Sequence, residues 1–385
     1  MSAKGSKAAD GAPSANLRSR PRTRRAGFLS SAARPHPDLH ITAQICIIRY
    51  ICTVGYSLTY FNGANHGKTQ APGAFLASGA APDALFAQTK QMTMVVPFPP
   101  GGGGDILART VSLPFSETLH EKVVIFNRPG AGGNIGTSQV VKARPDGTTV
   151  GYVTNGIMCV NSHLYDRQAF DPLKDLEPVA GLTSIGLVLA VSPKALPDVR
   201  SAADLVKLAI SRPGEIAFAS AGPGTTSHLA GILFEREAGL DLNHIPHAGG
   251  AAAVKEVLSG RVPFLIDVMP NLLPHLKAGT LRALAVTTPS RSALLPEVPT
   301  MVEAGLPGVT LYAWDGIAAP KGLSDADADR FAKAARAALN DKAVRDRLLR
   351  MGAEPQFRGP ADFRQFIEAE AAKWRPLALM ARAQR

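Results

Sequence analysis

The sequence predicts an α/β protein with parallel sheets, from residue 88 to the end of the chain. Short apolar segments alternate with segments of helical character, and glycine-rich loops follow the apolar segments directly. No segment repeats at a fixed short period, which excludes a solenoid. Alternation of this kind is typical of right-handed βαβ units, in which helices cover the faces of a parallel sheet.

The first α/β unit follows the order strand, helix, strand, helix, strand. Its first strand, residues 94–98, leads through a Pro/Gly loop into a helix that we expect Asp105 to cap. Pro114 should kink or shorten this helix, because proline removes a backbone hydrogen bond. The other predicted elements are a strand at 122–127, a helix at 135–143 and a strand at 148–154.

A second α/β unit and a helical end follow. Strands are predicted at residues 185–191, 215–220, 262–268 and 281–287. Helices should begin near Asp204 and after the loops at 221–228 and 244–250. Residues 309–319 are predicted to be extended, and three final helices should begin near Ser324, Asp341 and Gly359.

Residues 1–87 differ in composition from the rest. Residues 1–40 are rich in Ser, Ala, Pro and Arg, a composition that predicts disorder, and we expect residues 1–87 to form a disordered leader. Residues 1–87 contain ten Lys/Arg against three Asp/Glu, whereas residues 88–385 contain 32 against 28. The basic charge therefore lies mainly in this leader. No basic stripe interleaved with aromatic residues follows it, so nucleic-acid binding is disfavoured.

The leader also contains the parts of an export signal. The segment TRRAGFL at 23–29 resembles a twin-arginine signal. The small residues around 74–87 resemble a signal-peptide cleavage region that ends at Ala87. Residues 41–61 are apolar, but Arg49 near their middle disfavours a stable transmembrane helix. We therefore expect the working protein to be exported and to begin near Gln88.

Motifs of several enzyme classes are absent from the sequence. The segment at 130–132 would need a glycine at position 135 for a dinucleotide fingerprint, and Ile135 stands there. Neither a P-loop nor a Gly-x-Ser-x-Gly elbow occurs. The histidines between 228 and 247 have no metal-ligand spacing, and Cys159 should be a small buried apolar residue. We therefore predict no metal and no cofactor.

Three glycine-rich or hydroxyl-rich loops remain, at residues 100–105, 129–134 and 222–228. Each places small residues, N–H groups or hydroxyls at a predicted helix start, where the helix dipole attracts an anion. In open α/β sheets, ligands bind beyond the carboxyl ends of the strands. Three such loops on two α/β units suggest an anion held between two lobes.

The motifs also resemble, in their order, the Bug-type solute-binding proteins, which are extracytoplasmic receptors of tripartite tricarboxylate transporters. The resemblance covers about residues 91–380. The matching segments are VPFPPGGGGD at 96–105, NRPGAGGNIG at 127–136, PDG at 145–147, AGPGTTSHL at 221–229, LLPEVPT at 294–300, EAG at 303–305 and WDG at 314–316.

This resemblance implies a two-lobed periplasmic-binding-protein fold, of the type II or Venus-flytrap kind, with a ligand cleft between the lobes. Lobe one would comprise residues 88–184 and 313–385, and lobe two residues 185–312. It implies a periplasmic, monomeric, non-enzymatic receptor that captures a small carboxylate for membrane transporter subunits. Two alternatives stay open: a sensor whose closed form contacts a signalling partner, and an enzyme that uses His228 or Asp267 as a base.

On this interpretation, lobe closure surrounds the ligand's carboxylate with main-chain N–H groups of lobe one and side chains of lobe two. Phe98 would cover the apolar part of the ligand. The expected ligand-binding residues are Phe98, Gly101, Gly102, Asp105, Ala131, Gly132, Gly133, Asn155, Thr225, Ser227, His228 and Asp267.

Overall fold

The computed structural model describes residues 90–383. The predicted leader at 1–87, with its export signal and its two cysteines, Cys46 and Cys52, lies outside the described residues. Among residues 90–383, no helix is both long and apolar enough to cross a bilayer. Ten strands and eleven α-helices make up most of this part of the chain.

The strands form two sheets that share one long strand. The strands are β1 (Gln91–Val96), β2 (Lys122–Asn127), β3 (Thr149–Thr154), β4 (Leu176–Val191), β5 (Ala217–Ser220), β6 (Asn243–Pro246), β7 (Phe264–Val268), β8 (Arg282–Val286), β9 (Tyr312–Pro320) and β10 (Ala353–Arg358).

The helices cover both faces of these sheets. The helices are α1 (Gly103–Leu119), α2 (Asn134–Val141), α3 (Asn161–Leu164), α4 (Pro172–Asp175), α5 (Ala202–Ser211), α6 (Thr226–Glu237), α7 (Gly250–Ser259), α8 (Met269–Lys277), α9 (Asp325–Asn340), α10 (Lys342–Arg350) and α11 (Pro360–Ala383).

Strand β4 belongs to both sheets. The first sheet has the order β2-β1-β3-β9-β4-β10, and the second has the order β8-β4-β7-β5-β6. Residues 176–186 of β4 pair with β9, and residues 187–191 pair with β7. We call the first sheet with its helices lobe one, and the second sheet with its helices lobe two.

The predicted α/β class is confirmed, but the sheets are mixed. The pairs β1–β2, β1–β3, β5–β6 and β5–β7 are parallel, as expected. Strands β4 and β9 run antiparallel to their neighbours. Both are buried along most of their length. They therefore lack the apolar–polar alternation that marks an antiparallel strand with one solvent-exposed face. The sequence predicts only the second half of β4 and does not predict β10.

The predicted N-cap of α1 is wrong. The helix begins at Gly103, and Gly102 rather than Asp105 is its N-cap. Asp105 is the third helical residue, and its carboxylate accepts hydrogen bonds from Gly101 N–H at 2.9 Å and Arg109 Nε at 2.9 Å. Asp105 therefore fixes the loop before the helix. The glycines adopt the entry conformation without a side-chain cap.

Pro114 does not shorten α1, which continues to Leu119. The apolar face of the helix stays buried on both sides of the proline, at Val111 and at Phe115. This packing outweighs the single backbone hydrogen bond that proline removes. The three C-terminal helices begin where the sequence predicts. Ser324 and Asp341 cap α9 and α10, whose first turns donate to their side chains.

Helix α11 packs on lobe one through Phe363, which is fully buried. Its ring meets that of Trp314 edge-on, with centroids 5.7 Å apart. Gly181 and Gly316 lie against the same ring, so the sheet has no side chain there that could fill its place. Phe363 is therefore a main contact between α11 and the centre of the first sheet.

We predict that Phe363→Ala lowers the free energy of unfolding by about 3–5 kcal/mol, because the cavity left behind cannot collapse on two glycines. Urea denaturation of the purified protein measures this change. Leu379 on the same helix is 47% exposed, so Leu379→Ala should cost less than about 1 kcal/mol. Similar losses at both positions would contradict the packing described.

Candidate functional site

A cavity of about 80 Å³ lies where the two lobes meet. This is several times the space that one water molecule needs. Lobe one contributes the start of α1 and parts of β3, β4 and β9, and lobe two contributes the starts of α6, α7 and α8. The lining residues are Phe98, Gly103, Gly104, Leu107, Tyr152, Thr154, Asn155, Ile185, Ala221, Thr225, Thr226, Ser227, Gly250, Asp267, Val268, Asn271, Ala313, Trp314 and Asp315.

Helices α1, α6, α7 and α8 all begin at this cavity. The first N–H groups of a helix have no partner within it, and together with the helix dipole they create a partial positive charge. Gly104, Thr226, Ser227 and Gly250 line the cavity, and their N–H groups donate no hydrogen bond to any of residues 90–383. Helices from both lobes therefore present main-chain donors that suit an anion.

Asn155 adds a side-chain donor to the cavity wall. It follows β3 and is fully buried. Its Oδ1 accepts a hydrogen bond from Thr226 Oγ1 at 2.8 Å, across the boundary between the lobes. Its Nδ2 is buried without a hydrogen-bond partner in the described part of the chain. A buried unpaired donor costs about 1–3 kcal/mol, so an acceptor atom in the cavity would be stabilised here.

The lining contains two carboxyl groups and no Lys, Arg or His. Burial raises the pKa of Asp267 and of Asp315 from 3.8 to about 6, although their hydrogen bonds oppose the shift. Asp315 accepts hydrogen bonds from the Tyr152 hydroxyl and from the Thr183 N–H and hydroxyl. The groups in this lining that can attract an anion are therefore helix ends and Asn155 rather than cationic side chains.

Close contacts join the lobes beside the cavity. Gly103 N–H of lobe one donates to Asn271 Oδ1 of lobe two at 2.7 Å. Gly156 lies directly against the carbonyl oxygen of Gly224, so that a Cβ on Gly156 would overlap that oxygen. The two lobes can approach this closely only where side chains are absent.

The second glycine-rich loop lies at a different cavity, of about 250 Å³, which adjoins the first. Phe98 and Ala221 line both cavities. A Cβ on Gly132 would lie 2.5 Å from the Pro223 carbonyl oxygen, and the Tyr165 hydroxyl donates to the same oxygen at 2.8 Å. The loop at 131–133 is thus part of the contact between the lobes.

Comparison with known proteins identifies the family of the chain. Residues 107–381 match the family model described as the tripartite tricarboxylate transporter family receptor, TctC. This chain belongs to the TctC family. It is 36% identical to the protein BugT of Bordetella pertussis over 306 residues, which cover 78% of this chain and 93% of BugT. Receptors of this family are periplasmic and work with membrane transporter components.

Two solved structures from Rhodopseudomonas palustris are similar to this TctC-family receptor. Rpa4515 with adipate is 37% identical, with a TM-score of 0.73, covering 76% of this chain and 98% of that protein. MatC (Rpa3494) with bound malate is 30% identical, with a TM-score of 0.72, covering 76% and 99% respectively. These similarities confirm the predicted two-lobed periplasmic-binding-protein fold.

Five of the twelve predicted site residues of this TctC-family receptor line the 80 Å³ cavity, and seven do not. Those in the lining are Phe98, Asn155, Thr225, Ser227 and Asp267. Those outside it are Gly101, Gly102, Asp105, Ala131, Gly132, Gly133 and His228. In the first loop, the Gly101 and Gly102 N–H groups already donate to Asp105 and Pro99. The N–H group that remains available lies further along, at Gly104 in the first turn of α1.

His228 lies behind the cavity wall and is 2% exposed. Its ring stacks on that of His244 at a centroid distance of 4.3 Å, and its Nδ1 accepts a hydrogen bond from Gly224 N–H at 3.3 Å. The residue therefore supports the loop that precedes α6. Within residues 90–383, no group of three or more His, Cys, Asp or Glu is placed to hold a metal ion.

Sequence reasoning missed several lining residues of this TctC-family receptor. Gly104 and Thr226 stand inside segments that it singled out, one position away from the residues it selected. Gly250 ends a fourth strand-to-helix loop of the same glycine-rich kind, at 244–250. Asp315 stands inside the WDG segment at 314–316, but neither it nor Asn271 carries a local sign that it faces a cavity, because that depends on β7 and β9 lying in the middle of the sheets.

We predict that the stability of Asp267→Asn, relative to the native protein, rises between pH 4 and pH 7. A carboxyl whose pKa is raised by folding stabilises the fold below pH 4, and this contribution is lost as the pH rises to about 6. The free energy of unfolding of Asp267→Asn minus that of the native protein should therefore increase by about 2 kcal/mol from pH 4 to pH 7. Urea denaturation at a series of pH values, without added ligand, measures it.

Asp146 supplies the control of opposite sign. Hydrogen bonds from Thr148 lower the pKa of this exposed carboxyl, so Asp146→Asn should become relatively less stable as the pH rises from 2 towards 5. A difference for Asp267→Asn that stays constant between pH 4 and pH 7 would show that its carboxyl titrates normally.

Proposed function

We propose that this protein captures a small organic carboxylate in the periplasm by closing its two lobes over it, and delivers it to the membrane subunits of a tripartite tricarboxylate transporter. One observation carries the proposal: helices from both lobes begin at one cavity, with unpaired N–H groups and no cationic side chain. Such a site stabilises a compact anion. The adipate and malate bound by its relatives are anions of this kind.

The donors in this proposal come from both lobes. Gly104 N–H and Asn155 Nδ2 of lobe one would face the ligand from one side. Thr226, Ser227 and Gly250 N–H of lobe two would face it from the other. Phe98 and Trp314 would cover the carbon chain of the ligand. Because neither lobe alone provides the full set, the ligand binds the closed form more tightly and shifts the population towards it.

The hinge of this proposed closure lies where the chain passes between the sheets. Strand β4 changes partner after Gly186, and β9 begins its pairing with Gly186 at Tyr312. The lobe limits predicted from sequence, at 184/185 and 312/313, lie within two residues of these positions and stay a prediction. Bending at a few residues where the chain passes between the lobes would close the cleft, as hinges do in other two-lobed binding proteins.

The same proposal makes the receptor monomeric, exported and non-enzymatic. Each chain contributes both walls of the cavity, so no second copy is needed to complete it. The His228 ring packs against His244 and lies outside the lining, which supports a receptor over an enzyme that uses His228 as its base. A receptor requires only reversible binding, for which main-chain donors are sufficient.

A thermal-shift screen tests the proposed function. The purified protein would be heated with mono-, di- and tricarboxylates and, as a control, with uncharged amides of the same carbon skeletons. A ligand present at a thousand times its Kd should stabilise the protein by about 4 kcal/mol. Stabilisation by at least one carboxylate and by none of the amides is expected. Turnover of the stabilising acid, followed by nuclear magnetic resonance, would instead support an enzyme.

We predict that Gly156→Ala weakens carboxylate binding at least tenfold. The added Cβ would overlap the Gly224 carbonyl oxygen only when the lobes are in contact. Gly156 does not have a positive φ, so alanine is compatible with its backbone. The unliganded protein should therefore stay folded, as circular dichroism can verify, while calorimetry measures the binding.

Gly359→Ala is the matched control for this variant. Gly359 also lacks a positive φ, and its Cβ would meet nothing closer than Phe357 Cε1 at 4.0 Å. Its substitution should leave the affinity unchanged. Native affinity in Gly156→Ala would mean that binding does not need the contact between these two loops.

A further inference from the structure

Asp267 is the acidic side chain of lobe two in the cavity, and it has acceptor capacity to spare. It is 2% exposed. Its Oδ1 accepts a hydrogen bond from Val268 N–H at 2.8 Å, and its Oδ2 accepts one from Asn271 Nδ2 at 2.8 Å. An ionised carboxylate has about four lone-pair positions. Two acceptor positions are therefore left on a side chain that lines the cavity.

The orientation of Asp267 is fixed by a chain of hydrogen bonds between the lobes. Gly103 N–H can only donate, so the Asn271 atom that it meets at 2.7 Å must be the amide oxygen. The amide nitrogen of Asn271 then faces Asp267 Oδ2. Because Asn271 Oδ1 already accepts a hydrogen bond from Gly103, it is a weaker acceptor for a ligand than an oxygen without such a partner. Asp267 is left as the charged acceptor on this wall, with two acceptor positions uncommitted.

Asp315, the other carboxyl of the cavity, is differently placed. Three hydrogen bonds, from the Tyr152 hydroxyl and from the Thr183 N–H and hydroxyl, converge on it from strands β3 and β4. These bonds commit Asp315 to holding the strands together. The only titratable groups in the lining are Asp267, Asp315 and Tyr152, and none of them is a cation that could neutralise Asp267.

An acceptor and a set of anion-binding N–H groups therefore share one small cavity. We propose that Asp267 binds a hydrogen-bond donor on the ligand, so that the preferred ligand is a carboxylate that also carries a hydroxyl or ammonium group. This inference rests on the proposed function and names its ligand class. The carboxylate of such a ligand would take the N–H groups at the helix ends, and its donor would take Asp267.

The charge of Asp267 favours this class of ligand over acids without a donor. A second ionised carboxylate placed beside Asp267 would meet a like charge at a buried position. An alkyl group placed there would remove water from the carboxylate of Asp267 and offer it no hydrogen bond in return. A hydroxyl or ammonium group satisfies it, and hydrogen bonds to charged groups are among the stronger ones in proteins.

Two matched ligand series test the inference on the full protein by calorimetry at pH 7.5. Succinate, malate and aspartate share one skeleton and differ by hydrogen, hydroxyl and ammonium at a single carbon. Propanoate, lactate and alanine form the same series with one carboxylate. In the series that binds, at least one donor-bearing acid should bind ten- to a hundredfold more tightly than the unsubstituted acid.

Asp267→Asn assigns this preference to a residue. The variant should reduce the ratio of affinities, donor-bearing to unsubstituted acid, at least tenfold. Asp315→Asn is the control, because its carboxyl lies in the same cavity but is committed to Tyr152 and Thr183. It should change the affinities for all members of a series by a common factor and leave their ratio as in the native protein.

The outcomes separate this inference from the proposed function. Equal or tighter binding of the unsubstituted acid by the native protein overturns the inference and leaves a carboxylate receptor intact. An unchanged ratio of affinities in Asp267→Asn also overturns the inference and leaves a carboxylate receptor intact. The same holds if the ligand found in the thermal-shift screen carries no hydroxyl or ammonium group. Binding of no carboxylate at all overturns the proposed function, and the inference with it. The comparison on native protein stands whether or not the variants fold.

Discussion

The site depends on unpaired main-chain N–H groups at helix ends. Such groups can face a ligand only where no side chain stands in front of them, and this accounts for Gly104 and Gly250 in the lining. It also accounts for the absence of Lys and Arg from the cavity, since the helix dipoles already supply positive potential. Burial raises the pKa values of Asp267 and Asp315, and because no cation lies in the lining, only their hydrogen bonds oppose this shift.

Much of the fold could be predicted from the sequence, because its signals are local. Parallel strands followed by helices mark β1 to β3 and β5 to β7, with glycine-rich loops after β1, β2, β5 and β6, and N-cap residues mark the last helices. The mixed sheets could not be predicted in this way. Strands β4 and β9 are buried on both faces, so their composition carries no sign of direction. Their position follows from pairings between residues more than a hundred positions apart.

The candidate site shows the same division between local and non-local information. The loops that surround it were evident, but the sequence did not distinguish N–H groups that face the cavity from those used within a loop. Gly101 and Gly102 form bonds inside their own turn, whereas Gly104 does not. The loop at 131–133 has the composition of an anion-binding loop, yet it forms a contact between the lobes. Composition alone cannot separate these two uses of glycine.

Strand β4 has a mechanical consequence. Because one hydrogen-bonded strand runs through both sheets, the lobes are connected by ordered backbone rather than by a flexible linker. Each lobe therefore meets its partner at a high effective concentration, and little chain entropy is lost when they come together. Little of the free energy of the contacts with a ligand is then needed to offset the entropy of bringing the lobes together, and most of it contributes to affinity. This small entropy loss matters most for a site built from neutral main-chain donors, because each of them contributes little free energy by itself.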